Sequence, residues 1–319
     1  MSEAKVPGAP VVALSGGVGG AKLALGLYRV LPPDTLTIVA NTGDDFEHLG
    51  LSICPDLDTL LYTLSDQANP ELGWGRRDET WTFMDMLEKL GGETWFRLGD
   101  GDLATHVERT RRLAAGESLS AIIDGFSRQF GIAARILPMS DDKVRTRLDT
   151  DRGWLDFQDY FVRLRCEPAV RRLNFVGSET AQPHPDFLAA LANPDLRAVI
   201  ICPSNPFISI DPILSIPGVR EALRECRAPI VAISPIIGGK AIKGPTAKMM
   251  RELELPVDAA TLARHYRDII NIYIVDNCDY DESLYNDIPT ISAPILMVTT
   301  EDREALAHVA LAAAAQVCK

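Results

Sequence analysis

No apolar run in this 319-residue chain approaches the roughly 20 residues that a bilayer-crossing helix needs, so none is expected. The opening MSEAKVPGAP has no apolar h-region either, so no signal peptide is predicted and the expected location is cytoplasmic. Histidine is scarce, with five scattered copies. The six cysteines (Cys54, Cys166, Cys202, Cys226, Cys278 and Cys318) contain no C-x-x-C pair. That spacing argues against a zinc cluster and predicts reduced, mostly buried thiols. Positive charge is also short: 32 Lys and Arg face 44 Asp and Glu, for a net charge of −12. A field of that sign repels polyanions, which excludes nucleic acid and anionic membrane as expected partners. A small phosphorylated ligand stays compatible, provided that local amides, a few cations or a divalent metal receive it.

What is present reads as one α/β domain over residues 1–319, with an inserted helical and hairpin lobe over about 56–175. The chain is 46% hydrophobic, enough for a substantial core. Val11–Ser15 is a β-prone run, Ala21–Leu31 has helical spacing, and Leu36–Ala40 is a second strand. This opening predicts a parallel, Rossmann-like sheet flanked by helices. Helices are predicted at Asp56–Leu64, Thr80–Leu90, Leu103–Ala115 and Leu119–Phe130, the last capped by Ser118. The glycine-rich acidic stretch Trp95–Asp102 reads as a loop. A β-hairpin is predicted from Val144–Asp149 and Trp154–Arg165 around Asp151, Arg152 and Gly153. Strands at Ala198–Cys202, Ile230–Ser234, Ile272–Val275 and Ile295–Val298 then alternate with helices near Val219–Cys226, Thr246–Leu255, Ala259–Ile269 and Asp302–Val317.

Three sets of residues could carry chemistry. The first is Gly16, Gly17, Gly19 and Gly20, four glycines in the five positions after the first strand. Glycines there let backbone amides reach phosphate oxygens, and a helix N-terminus adds a favourable dipole. Lys22 is followed by Leu23, so the loop is not a Walker A motif; Lys22 also takes the place of the third glycine of G-x-G-x-x-G. The second set is Asp44, Asp45, Asp56 and Asp58, four acids at two loop ends expected to converge at the carboxyl edge of the sheet. Together they suit a divalent cation; singly, Asp56 or Asp58 is equally well a helix cap. The third is Pro203-Ser204-Asn205-Pro206 and the Ser234–Pro245 segment, where Ser204 and Asn205 offer hydrogen bonds and Gly238, Gly239, Lys240 and Lys243 offer anion contacts. Turns use the same residue types. Trp74, Trp81 and Trp95 could stack on a flat heterocycle or simply pack. His48 and His106 read as structural hydrogen-bonders.

The blocks SGGVGGAK, NTGDD, ICPDLDTLLYTL, GWGRRDETW, LGDGDLATHVERT, PSNPFISIDPIL and SPIIGGKAIKGP resemble the 2-phospho-L-lactate transferase family, in family order over about residues 11–255. The resemblance implies a Rossmann-like transferase of coenzyme F-420 biosynthesis. It would move a phospho-acid (lactate, enolpyruvate or glycerate) from a guanosine diphosphate-linked donor to the ribityl hydroxyl of the deazaflavin FO, releasing GMP. It places Asp58 and Arg97 at the deazaflavin, magnesium at the acids of NTGDD and PDLD, and the donor nucleotide at the glycine loop, Asn41, Ser204, Asn205 and the GGK segment. Lys22, Arg97 or Lys240 would serve as auxiliary cations, or an aspartate as general base. One departure is Gly101, where relatives often carry an arginine between the two acids. The rivals are a YvcK-like nucleotide-sugar-binding regulator and an NAD-dependent oxidoreductase. GWGRRDETW and LGDGDLATH speak against the first. The broken G-x-G-x-x-G and the lack of an acid ending the second strand speak against the other. A symmetric homodimer is the default expectation for oligomeric state.

Overall fold

The computed structural model describes residues 8–70, 74–241, 244–285 and 288–317. Seven strands form the central sheet: β1 (Val11–Ser15), β2 (Leu36–Ala40), β3 (Arg135–Pro138), β4 (Ala198–Ile201), β5 (Ile230–Ile233), β6 (Ile272–Val275) and β7 (Thr290–Ser292). Their spatial order is β7-β6-β5-β4-β1-β2-β3, and every pairing is parallel. This is the doubly wound arrangement, in which the chain winds one way from β1 to β3 and the other way from β4 onward. The switch point lies between β1 and β4, whose carboxyl ends therefore open a crevice.

The sheet is covered on both faces. Val12, Leu14, Val199 and Ile201 join one core with Phe207, Ile213 and Tyr273. Val11, Ala13, Ile200 and Ile274 join the other with Leu23, Leu27, Leu306 and Ala310. Burial on both faces is why these strands read as unbroken apolar runs. Helix α1 (Gly17–Val30) packs on the second face against the C-terminal helix Thr300–Gln316. Gly26 makes that packing close, because a Cβ there would run into the Arg303 main-chain carbonyl.

The lobe after β2 contains α2 (Pro55–Leu64), α3 (Thr82–Lys89), α4 (Asp100–Ala114) and α5 (Leu119–Gln129). The Ser118 side chain accepts from the Ala121 amide and caps α5 as expected. Several boundaries differ from the sequence reading. The glycines Gly17, Gly19 and Gly20 are not a free loop but the first turn of α1. Asp100, Gly101 and Asp102 likewise open α4, because the Glu79 carboxylate receives the Gly101 and Asp102 amides at 2.7 and 2.8 Å and caps the helix from outside. Within the span of the expected lobe, β3 returns to the edge of the central sheet; only Ile136 and Leu137 between Arg135 and Pro138 signal it.

The hairpin supplies two strands of a three-stranded antiparallel sheet, Arg145–Thr150 lying between Gly153–Asp156 and Val170–Val176. Its second arm stops at Asp156 rather than Arg165. A π-helical turn at Asp159–Arg163 follows, where Phe157 and Phe161 stack four residues apart, at 5.2 Å. The last sheet strand is β7, not Ile295–Val298, which alternates in burial but pairs with no strand. Among the described residues, no helix is long and apolar enough to cross a membrane.

Gly26→Ala separates two opposing effects. Helix propensity favours alanine by about 1 kcal/mol. Overpacking against a main-chain carbonyl, which cannot rotate away, costs about 1–3 kcal/mol. We expect a net loss of stability, read as a lower urea midpoint with an unchanged m-value; an equal or higher midpoint would show that the two helices can part freely.

Candidate functional site

At the switch point the chain must turn from β1 into α1 hard against the loop after β4. Gly16 is extended and Gly17 adopts φ +63°, in the left-handed region. A Cβ on Gly16 would lie 2.6 Å from Ser209 Cβ, one on Gly19 would strike the Pro203 carbonyl, and one on Gly20 would lie 2.6 Å from Ser204 Oγ. Gly16, Gly19 and Gly20 are thus required by the close approach of the loop after β4, and Gly17 by its positive φ. Two of the amides are used inside the protein: Gly16 N–H donates to Ser204 Oγ (3.2 Å) and Gly17 N–H to Asp56 Oδ1 (2.8 Å). Those of Val18 and Gly19 belong to a helical first turn, which has no intrahelical acceptor for them.

Asp56, at the start of α2, also accepts from Asn41 Nδ2 at 2.9 Å, and Asn41 donates to the Ile208 carbonyl at 3.2 Å. Asn41 Oδ1 receives the Gly43 amide at 2.8 Å. Sequence-predicted Gly16, Gly17, Gly19, Gly20, Asn41, Asp56 and Ser204 are therefore brought together by direct contacts or main-chain approach. Asn205 is turned to a local task, accepting from the Phe207 amide at 3.0 Å and donating to Met249 Sδ at 3.7 Å.

Asp44 and Asp45 follow directly and are buried. Their Oδ1 atoms have no hydrogen-bond partner among the described residues. Burial, with the charge of Asp56, pushes Asp44 well above the usual carboxylate range. Burial lifts Asp45 to about 7 despite Arg145, and Asp56 to about 6 despite the bonds from Asn41 and Gly17. Gly43, Asp44 and Asp45 form one wall of a cavity of about 420 Å³, whose other walls include His48, Trp95, Arg145, Gln158 and Arg163.

Burial raises Asp58 as well, despite Arg109, but its oxygens are partnered within the protein. Both of its oxygens are taken by Arg109, a fully buried arginine from α4: Nη1 lies 3.2 Å from Oδ2, and Nη2 bonds Oδ1. Burial disfavours the Arg109 charge, but Asp58, with Cys54 and Tyr62, outweighs it and raises the pKa. His106 lies between two acids, Nδ1 3.6 Å from Asp58 and Nε2 3.1 Å from Asp102, while Tyr62 donates to Asp102 at 2.6 Å. Carboxylate and imidazole atoms of Asp58, Asp102 and His106 lie within 4.8 Å of one another, a donor set suited to a cation. The Asp58–Arg109 pair was not foreseen; the signal for it is the polar stripe Asp102, Thr105, His106 and Arg109 on one face of α4.

Asp102 also borders a hollow lined by Trp74, Arg76, Glu79, Trp81 and Arg97. The Arg97 side chain is exposed and lies over the Trp81 ring, 4.1 Å from its centroid. The space beside Gly101 holds a cation after all, because a Cβ at Gly101 would lie 2.8 Å from Arg76 Nη1.

The remaining predicted cations lie elsewhere on the structure. Lys22 Nζ donates to the Met297 carbonyl at 2.8 Å. Gly238 and Gly239, with φ +58° and +68°, form the two-residue turn of a small hairpin, Ile236–Ile237 with Lys240–Ala241. The Gly238 amide donates to Asp279 at 2.8 Å, and Lys240 is exposed. Lys243 lies outside the described residues.

Fold and site together define a Rossmann-like α/β protein with a glycine turn and clustered carboxylates at its switch point. Residues 11–311 match the family described as 2-phospho-L-lactate transferase CofD, and the chain belongs to it, an enzyme of the phospho-lactate transferase type. It is 40% identical over 317 residues to a phosphoenolpyruvate transferase of Kitasatospora aureofaciens, covering 96% of this chain and 98% of that protein. It is 38% identical over 312 residues to one of Mycobacterium tuberculosis, covering 90% and 93%. A UPF0052-family protein from Bacillus halodurans shares the fold, with a TM-score of 0.64, 15% identity and coverage of 96% of this chain and 99% of that one.

Two outcomes follow from the electrostatics. Removing one partner of a buried ion pair strands the other charge. Arg109→Met should therefore lower stability by about 3–5 kcal/mol, while the double variant Asp58→Asn with Arg109→Met should recover most of it; denaturant unfolding of both reads this directly. The raised acids set the pH dependence. Because Asp44, Asp45 and Asp56 hold their protons more tightly when folded, their stabilisation is complete below the unfolded carboxylate value. It is lost as pH rises through about 6 and 7. In EDTA, stability should fall between pH 5 and 8, and Asp45→Asn should flatten that fall; a rise over the same range would contradict the assignment.

Proposed function

We propose that this enzyme transfers a phosphoenolpyruvyl group from a guanosine diphosphate-linked donor to the primary ribityl hydroxyl of the deazaflavin FO, releasing GMP, in coenzyme F-420 biosynthesis. The observation that carries the reading is the meeting, at one switch point, of the glycine turn, the Ser204 loop and the buried acids Asp44 and Asp45. The names of the two relatives favour enolpyruvate as the acid. The blocks GWGRRDETW and LGDGDLATH favour transferase over regulator, since they supply most of the lining of the hollow at Arg97 and His106, which lies 3.6 Å from Asp58.

In this reading the ribityl oxygen attacks the phosphorus that bears the acid. The bond from that phosphorus to the GMP oxygen breaks, GMP leaves with that oxygen, and the hydroxyl proton passes to a carboxylate or to solvent. Positioning and charge neutralisation supply most of the catalysis in such transfers. The first turn of α1 would meet the donor phosphates with its Val18 and Gly19 amides. Ser204 stands beside that turn and would offer its hydroxyl to sugar or base. Arg97 would hold the acceptor ring by stacking or by a hydrogen bond to a carbonyl.

Magnesium is the metal we assign. Asp44 and Asp45 fit it, because each presents a buried oxygen with no protein partner among the described residues and an ionisation that a dication would favour. Asp56 is engaged with Gly17 and Asn41, and Asp58 with Arg109, which makes those two supports of the site rather than its main ligands. When bound, the ion would neutralise phosphate charge as the diphosphate splits.

Titrating fluorescent FO into the protein, with GDP binding and product mass measured alongside, tests the reading. Transfer should require magnesium and stop in EDTA. Arg97→Ala should weaken FO binding by about 10- to 100-fold, the worth of a contact to a charged group, and leave GDP affinity nearly intact. Absence of FO binding with magnesium and GDP present would defeat the transferase assignment. A change in GDP affinity instead would move the acceptor site away from Arg97.

A further inference from the structure

We infer that Arg145 is the residue that receives the carboxylate of the transferred acid, and that the cavity of about 420 Å³ behind Asp44 and Asp45 is the acid's subsite; this rests on the transferase reading. The cavity adjoins the switch point through a continuous set of bonds. Gly17 is tied to Asp56, Asp56 to Asn41, and Asn41 to Gly43, which with Asp44 and Asp45 forms the cavity wall. A donor whose phosphates lie at the glycine turn therefore reaches into this cavity with whatever its terminal phosphate carries. For an enolpyruvyl, lactyl or glyceryl group, that is a carboxylate on a three-carbon unit. Magnesium on Asp44 and Asp45 would be shared with the donor phosphates, so a carboxylate carried beyond them into the cavity is held best where a further cation faces it.

Three cations line the cavity, and two are already matched. Lys143 pairs with Glu47 at 3.1 Å and its side chain is mostly exposed. Arg163 lies over the Trp95 ring, 4.4 Å from its centroid, and pairs with Asp159 at 3.3 Å and Glu93 at 3.8 Å. Arg145 is half-buried at the start of its strand; its charge acts on Asp45 across the cavity, but it makes no contact ion pair among the described residues. Its two hydrogen bonds, to the Thr42 carbonyl at 3.4 Å and the Val144 carbonyl at 2.7 Å, both use Nη1. That anchors the guanidinium and leaves its Nε and Nη2 edge, the planar fork that suits a carboxylate, without a protein acceptor among the described residues. Gln158, fixed by its bond to the Asp44 carbonyl at 3.0 Å, closes the same wall and narrows the space to a small ligand.

The test compares GDP, which lacks the acid, with the complete enolpyruvyl donor, on wild-type protein, Arg145→Met and Arg145→Lys. Arg145→Met should weaken donor affinity, and kcat/KM for donor, by about 10- to 100-fold while GDP affinity changes by less than about twofold. Arg145→Lys, which keeps the charge but not the fork, should fall between. Equal losses for GDP and donor would overturn the inference and reduce Arg145 to a support of the Thr42 turn, and so would a donor affinity untouched by Arg145→Met. Wild-type protein that binds the donor no better than GDP and transfers nothing to FO would instead bring down the functional reading, and this inference with it.

Discussion

The Asp56 carboxylate is the contact around which the site is arranged. One oxygen takes the Gly17 amide and the other takes Asn41 Nδ2, and Asn41 passes the connection on to the Ile208 carbonyl. The turn after β1, the loop after β2 and the loop after β4 are thereby held as one body, with a buried side chain in place of the water that would otherwise satisfy those groups. The arrangement has an electrostatic consequence. A carboxylate under the first turn of α1 cancels part of the positive potential that a helix N-terminus would offer an anion, and it adds to the difficulty of ionising Asp44. A polyphosphate ligand arriving at this turn thus needs more positive charge than the helix alone supplies.

The structure separates its buried acids into two kinds. Asp58 and Asp102 are satisfied from within the protein, one by both arms of Arg109 and the other by Tyr62 and His106. Burial works against Asp102, yet the bond to His106 holds it below the usual carboxylate range. Asp44 and Asp45 keep bare oxygens, and burial makes both harder to ionise. The first kind shapes a surface and can be rigid without ligand. The second costs stability whenever it is charged, and a protein retains such groups where something else completes them. Sequence spacing alone placed all four primary acids in one class; the burial of Arg109 divides them.

How much was legible follows from which interactions are local. Strands buried on both faces announce themselves as apolar runs, so β1, β2, β4, β5 and β6 were read nearly to the residue. β3 and β7 sit at the sheet edges, where Arg135-Ile136-Leu137-Pro138 and Thr290-Ile291-Ser292 carry too few apolar residues to stand out as a run. Glycine clustering at residues 16–20 was visible, but its cause was not. Glycine is demanded by Pro203, Ser204 and Ser209, almost 200 positions away, rather than by a phosphate alone. The same distance effect hid Arg109 from Asp58, since no helical spacing links α2 to α4. Of the family blocks, those whose residues touch one another across the switch point carried most information about the site. The GGK segment carried less: its glycines are explained by a hairpin turn that needs two positive φ angles.

The hollow at Gly101 shows why a motif departure need not be a loss of function. The position between the two acids lacks a side chain, yet the volume that one would enter is filled by Arg76, whose guanidinium stands 5.6 Å from the centre of the Tyr62 ring and 3.9 Å from Glu79. The cation reaches the hollow from the segment before α3 instead of from the first turn of α4. Gly101 is what makes room for it, because a Cβ there would crowd both Arg76 and Glu79, and Glu79 is also the cap of α4. Charge in the hollow, the capping of α4 and the aim of Asp102 are therefore one coupled packing problem, solved here by a small residue at 101 and a long one at 76. In this chain the positive group beside Asp102 at the hollow is supplied by Arg76 rather than by position 101.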